Sequence, residues 1–418
     1  MLRVRPFAAI RPRPEDAARV AAPPYDVVDT PEARAIAEGN PVCFLRVSRP
    51  ELEMPDDADP YADAVYARAG ANLRRLLDDG VMRKDATPGI YLYRQEADLM
   101  GAKRSQTGIV CCCHIDDYAN NIIKKHEKTR QAKEDDRTKH TLAINANAGP
   151  VFLMHTDTSA IDQLVARDTA GAPVHDFVAS DGVRHAVWIA SDPAAYAKAF
   201  AALPAAYIAD GHHRAAASAR AGAEKKAANP THTGNEEYNW FLSVLFPAKA
   251  LTVLPYHRVV ADLKGMTPEE FLAKLRGAGT VRPLTSGIER YPTLGRGTYA
   301  VYLAGQWHEL KLTIPAADPR DPVATLDYQV LSERILGPVL GIGDIRTDSR
   351  IDFIGGIRGT TELAKRVDSG AAAVAFAMPP VRIDQIMAVS DAGQIMPPKC
   401  TWFEPKLRSG LLVHSLDS

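Results

Sequence analysis

Residues 206–220 read AYIADGHHRAAASAR, an apolar strand that halts at an Asp-Gly pair and passes straight into an alanine-rich helix. A strand that feeds a helix through so short a turn needs a sheet to lie in and a helical layer to cover it, so an α/β fold is expected. Gly211 permits the tight turn. The turn directs the unpaired N–H groups and the positive end of the helix at one spot. That geometry suits a phosphate or a carboxylate.

The side chains of the turn fit that use. Arg214 and the imidazoles of His212 and His213 add donors, and Asp210 adds an acceptor able to hold Mg²⁺ or to orient an imidazole. The same residues also suit a plain capped helix with solvated histidines. Five consecutive functional residues, Asp210 to Arg214, at a strand end favour the anion site. Zinc is disfavoured: adjacent histidines in a tight turn seldom converge on one metal, and no HExxH or CxxC pattern occurs.

The chain has 418 residues, which at roughly 150 residues per domain implies two or three domains. It carries 50 basic against 51 acidic residues, so no global field draws it to nucleic acid or an anionic membrane. The opening MLRVRPFAAIRPRPED lacks an apolar core run and does not read as a signal peptide. No apolar stretch approaches the roughly 20 residues of a membrane span. Cys43, Cys111, Cys112, Cys113 and Cys400 make an odd set with three adjacent, a poor disulfide framework that points to reduced thiols in the cytoplasm.

Along the chain, strands are expected at 4–10, 41–48, 150–155, 183–190, 239–246 and 251–254, with a hairpin of 89–95 and 105–115 turning near Met100-Gly101. Thr30 reads as an N-cap with Pro31 at the first helical position. Residues 60–79 carry apolar positions at helical spacing, and a very polar helix is expected over 121–140. After about residue 262 the texture becomes α+β, with helices near 268–277, 324–336 and 360–367, a hairpin of 298–304 and 307–314, and a strand at 373–378.

Within that polar helix, 124–140 holds seven basic residues against four acidic. His126, Arg130, Lys133 and Arg137 fall on one helical face, which suits a triphosphate or, as the alternative, a solvated surface. Glu127 near its start can reach a metal or a hydroxyl. Pro23 and Pro24 fix an extended approach to Tyr25-Asp26, making Asp26 a candidate base or a simple turn aspartate. The three adjacent cysteines read as strand packing. Lys399, Glu404 and Lys406 lie in a proline-rich loop, 396–406, that either closes over a site or is surface charge.

Five stretches together resemble the bacterial and archaeal domain-of-unknown-function 1015 family: RPFAAIRPRP with APPYDVV, KKHEKTRQAKEDDR, IADGHHRAAASAR, LPYHRVV and MPPKCTWFEPKLRSGL. They span residues 5 to 411, and Cys400 stands where serine is expected. The DGHHR run is also similar to the phosphate-binding turn of the ParB/sulfiredoxin superfamily, which binds nucleoside triphosphates and includes ParB-like CTPases, sulfiredoxin and kinases of free serine. That resemblance implies a ParB/sulfiredoxin-like core over 1–261 with a large insertion. A C-terminal α+β part, 262–418, would send its last segment back onto the core.

The function implied is an ATP-dependent small-molecule kinase, with free serine as one acceptor. Asp26, Glu127, Asp210 and His213 form the catalytic set, and Asp210 also places Mg²⁺. Gly211, His212 and Arg214, with His126, Arg130, Lys133 and Arg137, bind the nucleotide. ATP or another nucleoside triphosphate and a small hydroxyl-bearing metabolite are the expected partners, along with a second copy in a homodimer. Membrane and nucleic acid are not expected. The rival class is a CTP- or ATP-gated switch without small-molecule chemistry.

Overall fold

The computed structural model describes residues 1–417. It forms two compact units, residues 1–251 with 405–417, and 252–404. Each is built on its own sheet.

The first unit holds a nine-stranded mixed sheet of β1 (Val4–Arg5), β2 (Tyr91–Leu99), β3 (Ala102–His114), β4 (Ile123–Lys124), β5 (Val151–His155), β6 (His175–Val178), β7 (Arg184–Ile189), β8 (Ala206–Asp210) and β9 (Trp240–Pro247). Its order is β4-β8-β5-β9-β3-β2-β7-β6, with β1 pairing β3. The β2–β3 hairpin turns at Met100-Gly101, both with positive φ. Its helices include α1 (Thr30–Ala37), α2 (Asp63–Asp78), α3 (Gln131–Ile144), α4 (Ser159–Asp168), α5 (Pro193–Ala201) and α6 (His212–Ala228). One apolar cluster joins Leu92, Ile109, Leu153, Ile208 and Phe241 of the sheet to Ile161, Tyr196 and Phe200 of α4 and α5. A second gathers Val20, Phe44, Leu45, Leu73, Ile144 and Val413 beneath α2 and α3. Each fully buried Leu or Phe in such a cluster contributes about 1.5–3 kcal/mol.

Three expectations are corrected here. The polar helix does not begin at 121: Ile123 is fully buried as part of β4, which pairs in parallel with β8, so the helix starts only at Gln131. His126 and Arg130 therefore precede it and do not share a helical face with Lys133 and Arg137. Residues 41–48 are not a strand; Leu45–Ser48 form one helical turn that packs Phe44, Leu45 and Val47 into the second cluster. The N-cap of α1 is Asp29, not Thr30, because Asp29 and Glu32 exchange both bonds of a capping box.

The second unit carries a six-stranded sheet of β10 (Tyr256–Val260), β11 (Thr280–Pro283), β12 (Thr298–Leu303), β13 (Gln306–Lys311), β14 (Ile351–Gly355) and β15 (Val374–Ala377), in the order β11-β13-β12-β15-β10-β14. Helices α7 (Pro268–Ala278), α8 (Gly359–Asp368) and α9 (Ile383–Asp391) accompany it. Its expected 324–336 helix is a short helix, Asp327–Leu331, that widens into a π-helical turn, Ser332–Leu336. Arg258 on β10 is fully buried between the rings of Tyr328 and Phe353, and its guanidinium donates to the carbonyls of Pro398 and Lys399.

Among the described residues no helix is long and apolar enough to cross a membrane, none of the five cysteines is in a disulfide, and all five are buried.

Candidate active site at the end of strand β8

Strand β8 runs antiparallel to β5 until its register slips between Ile208 and Asp210. Such a bulge bends a strand end and re-aims its side chains. Gly211 follows in the left-handed region, at φ 95° and ψ 32°, and α6 begins at His212. A side chain at Gly211 would press on the Arg214 guanidinium at 3.0 Å, so glycine is required by both backbone and neighbour. His212, His213 and Arg214 occupy the first helical turn, where N–H groups have no intrahelical acceptor. In open α/β sheets the carboxyl ends of strands are where ligands gather.

The charged groups there are coupled. Arg214 donates to Asp210 at 2.8 Å and, at short range, to the carbonyl of Pro150. Lys406 brings its ammonium to 3.8 Å from the other Asp210 oxygen. Burial alone would raise the Asp210 carboxyl, but Lys406 and Arg214 outweigh it and hold it at about 2. Arg214 is raised despite burial, through Asp210, Asp26 and Tyr25.

The segment before α3 folds onto this turn. The His126 N–H points at His212 Nε2 at 3.5 Å, and the two rings meet edge to face at 4.6 Å. Glu127 lies 3.4 Å from His212 Nδ1. The Arg130 N–H donates to His213 Nε2 at 3.1 Å, which leaves Nδ1 as the protonated nitrogen of a neutral ring. Both ring nitrogens of His126 are buried without a hydrogen-bond partner, and burial holds that imidazole down at about 4. Burial also pushes His212 well below its ordinary value and lowers His213.

The fold thus gathers Asp210, Gly211, His212, His213 and Arg214 with His126, Glu127 and the backbone of Arg130. Asp26 is exposed in the turn after Pro24-Tyr25, close enough for its charge to act on His213 and Arg214. Lys133 is exposed, with its ammonium 5.9 Å from the Tyr61 ring, and its charge also acts on His213. Arg137 turns into a cleft between α3 and α6, where it pairs with Asp136 at 2.9 Å and stacks on Tyr25 at 4.2 Å.

Sequence reading left Lys406 undecided and passed over Tyr25 and Ser409. The final segment carries Lys406 and Ser409 inward. Gln95 donates to the Lys406 carbonyl at 2.9 Å, Arg408 bonds His185 at 3.2 Å, and Ser409 pairs with Ala22 through both backbone groups. The EPKLRSG run was visible, but nothing local ties it to a turn nearly 200 positions earlier.

The buried imidazoles give the fold an acid limit. His126, His140 and His175 are each held by burial at about 4, against about 6.5 in an unfolded chain. Between those values the unfolded state binds more protons than the native one, so stability is full above about pH 6.5 and falls as the pH drops toward 4. Calorimetric melting at pH 7, 6 and 5 is expected to show a progressive fall in Tm; a constant Tm would show that these rings titrate normally.

The geometry defines an α/β protein with charged and imidazole groups gathered at the carboxyl end of a sheet strand. The chain belongs to the DUF1015 family, described as a protein of unknown function, whose model matches residues 4–329. Similar solved structures include a free serine kinase in complex with AMP, at 13% identity and TM-score 0.33 over 71% of this chain and 86% of that one. A conserved hypothetical protein from Pyrococcus furiosus is similar at 14% identity and TM-score 0.34, over 73% and 95%. SbnI with a C-terminal truncation from Staphylococcus aureus is similar at 12% identity and TM-score 0.36, over 73% and 87%. No curated protein matches the chain.

Proposed function

We propose that the protein is an ATP-dependent small-molecule kinase whose phosphates sit at the Asp210–Arg214 turn, with free serine the first acceptor to offer. The observation that carries this reading is the start of a 17-residue helix fronted by Arg214 and Lys406 around a single carboxylate. It combines helix-end N–H groups with fixed cations, as a site for a multiply charged phosphate requires. The similarity of the turn to the ParB/sulfiredoxin type belongs to the same reading.

In this reading the backbone at Gly211, with His212, His213 and Arg214, holds the phosphates of the substrate ATP, and Arg130 lies at their edge. The acceptor oxygen bonds to the γ-phosphorus as the bond from that phosphorus to the ADP oxygen breaks. The hydroxyl proton passes to Asp26 or Glu127. Such transfer is mainly positioning and electrostatics, so this residue set suffices. Asp210 is the residue that would hold Mg²⁺, which ordinarily takes one or two carboxylates and completes its shell with phosphate and water. Among the described residues no group of three or more His, Cys, Asp or Glu gathers as a metal site. When bound, Mg²⁺ neutralises phosphate charge. Reduced thiols fit a cytoplasmic setting.

The test offers purified protein ATP, Mg²⁺ and a panel of hydroxy amino acids and hydroxy acids, with phosphorus NMR reading any new phosphate monoester. A product with serine that disappears in Asp210→Asn is the expected result. If ADP never forms above background with any acceptor, the kinase reading fails; nucleotide that still binds tightly then marks a switch.

A further inference from the structure

We propose that the cleft between α3 and α6 is the acceptor subsite, and that it takes the carboxylate of a small hydroxy acid or amino acid. This rests on the phosphotransfer reading above. The cleft is walled by Tyr25, Arg137, Thr141, Gly149, Arg214 and Ser218, with Ser409 closing one side. The ionised groups of its lining are two guanidiniums. Their carboxylates, Asp136 behind Arg137 and Asp210 behind Arg214, lie outside the lining. His140 in the same wall adds no charge, since burial and then Arg137 hold it at about 4.

The lining therefore presents positive charge and hydroxyls to whatever enters, and a carboxylate accepts from both. Each guanidinium is already paired with a carboxylate, so what the cleft offers an entering group is the remaining guanidinium N–H donors and hydroxyls, a set suited to one small anion. Arg214 joins the two regions: one edge pairs with Asp210 at the phosphate turn, and its stem borders the cleft beside Gly149. Asp26 follows Tyr25 out of the cleft wall, and its charge reaches His213 and Arg214. A hydroxy acid anchored by its carboxylate thus lies beside the phosphate turn with Asp26 next to it, which favours Asp26 over Glu127 as the base.

The experiment titrates the full chain, without and with ADP, with serine, lactate and glycerate and with their uncharged amides, and includes inorganic phosphate as a competing anion. The acids are expected to bind at least about 10-fold more tightly than the amides, the loss that follows from removing a charged hydrogen-bond partner. Arg137→Met is expected to erase that preference. Because losing Arg137 strands the buried Asp136 and can unfold the chain, Gly149→Ala is the second variant. Its new Cβ would stand 3.2 Å from Ser409 Oγ, narrowing the cleft while leaving both guanidiniums in place. It is expected to weaken acid binding by a larger factor than it weakens ATP binding.

Equal binding of acids and amides overturns the proposal, as does acid binding that neither variant changes. Phosphate that competes with ADP but not with the acids leaves the cleft as the acceptor site; phosphate that displaces the acids while the amides bind equally well makes it a phosphate site and overturns the proposal. If the acids bind selectively and ADP never forms, the cleft stands and phosphotransfer falls. If ADP forms with equal KM for acid and amide, phosphotransfer stands and the cleft assignment falls.

Discussion

Arg214→Ala is expected to weaken ATP binding by about 1.5–3 kcal/mol, roughly 10- to 150-fold, the range for losing a charge-assisted hydrogen bond. The reason is geometric. Arg214 is 9% exposed and held from behind by the Pro150 carbonyl and by Asp210, so its fork is fixed before any ligand arrives. Removing it also leaves the buried Asp210 without its hydrogen-bonded cation, with the Lys406 ammonium at 3.8 Å as the remaining charged partner, so the variant should melt earlier as well. Arg214→Lys retains the charge but not the planar fork, and should recover part of the stability and little of the affinity. Calorimetric titration of ATP into folded variants decides the matter. Unchanged affinity in folded Arg214→Ala would move the phosphate site away from this turn.

Gly410→Ala is expected to be the most damaging small substitution in the first unit. Gly410 has φ +81°, where a side chain costs about 1–2 kcal/mol. A Cβ there would also collide with the fully buried Phe44 ring, and overpacking of that kind costs about 1–3 kcal/mol more. Together these imply a fall in Tm of about 5–15 °C for a unit of this size. Activity should fall with it, because the same segment delivers Lys406 and Ser409. Thermal melting of the purified variant reads the effect; a Tm within a degree of the parent would mean that this segment does not pack against Phe44.

The strand-turn-helix at 206–228 could be read from the chain because everything that makes it is local. A short apolar run, one Asp-Gly pair and an alanine-rich stretch lie within a few residues of each other. The hairpin at Met100-Gly101 and the helix over 63–78 were legible for the same reason. Residues 121–140 were not, since their polar composition favours helix while the pairing of Ile123 with Ala206 lies more than 80 positions away. The run at 41–48 misled in the opposite sense: an apolar octet reads as a strand or a buried helical turn equally well until its packing partners are known.

The residues at the candidate site divide along the same line. Sequence alone determined the α/β class and the Asp210–Arg214 turn, because backbone period, glycine freedom and helix-end polarity are properties of neighbouring residues. Tertiary structure alone decided that His126 and Arg130 meet the turn from a loop, that Arg137 faces a cleft with Tyr25, and that Lys406 stands beside Asp210. Those placements depend on sheet order and on where the last segment threads. They are set by burial and by charge compensation between residues far apart in the chain, for which no short stretch of sequence carries a signal.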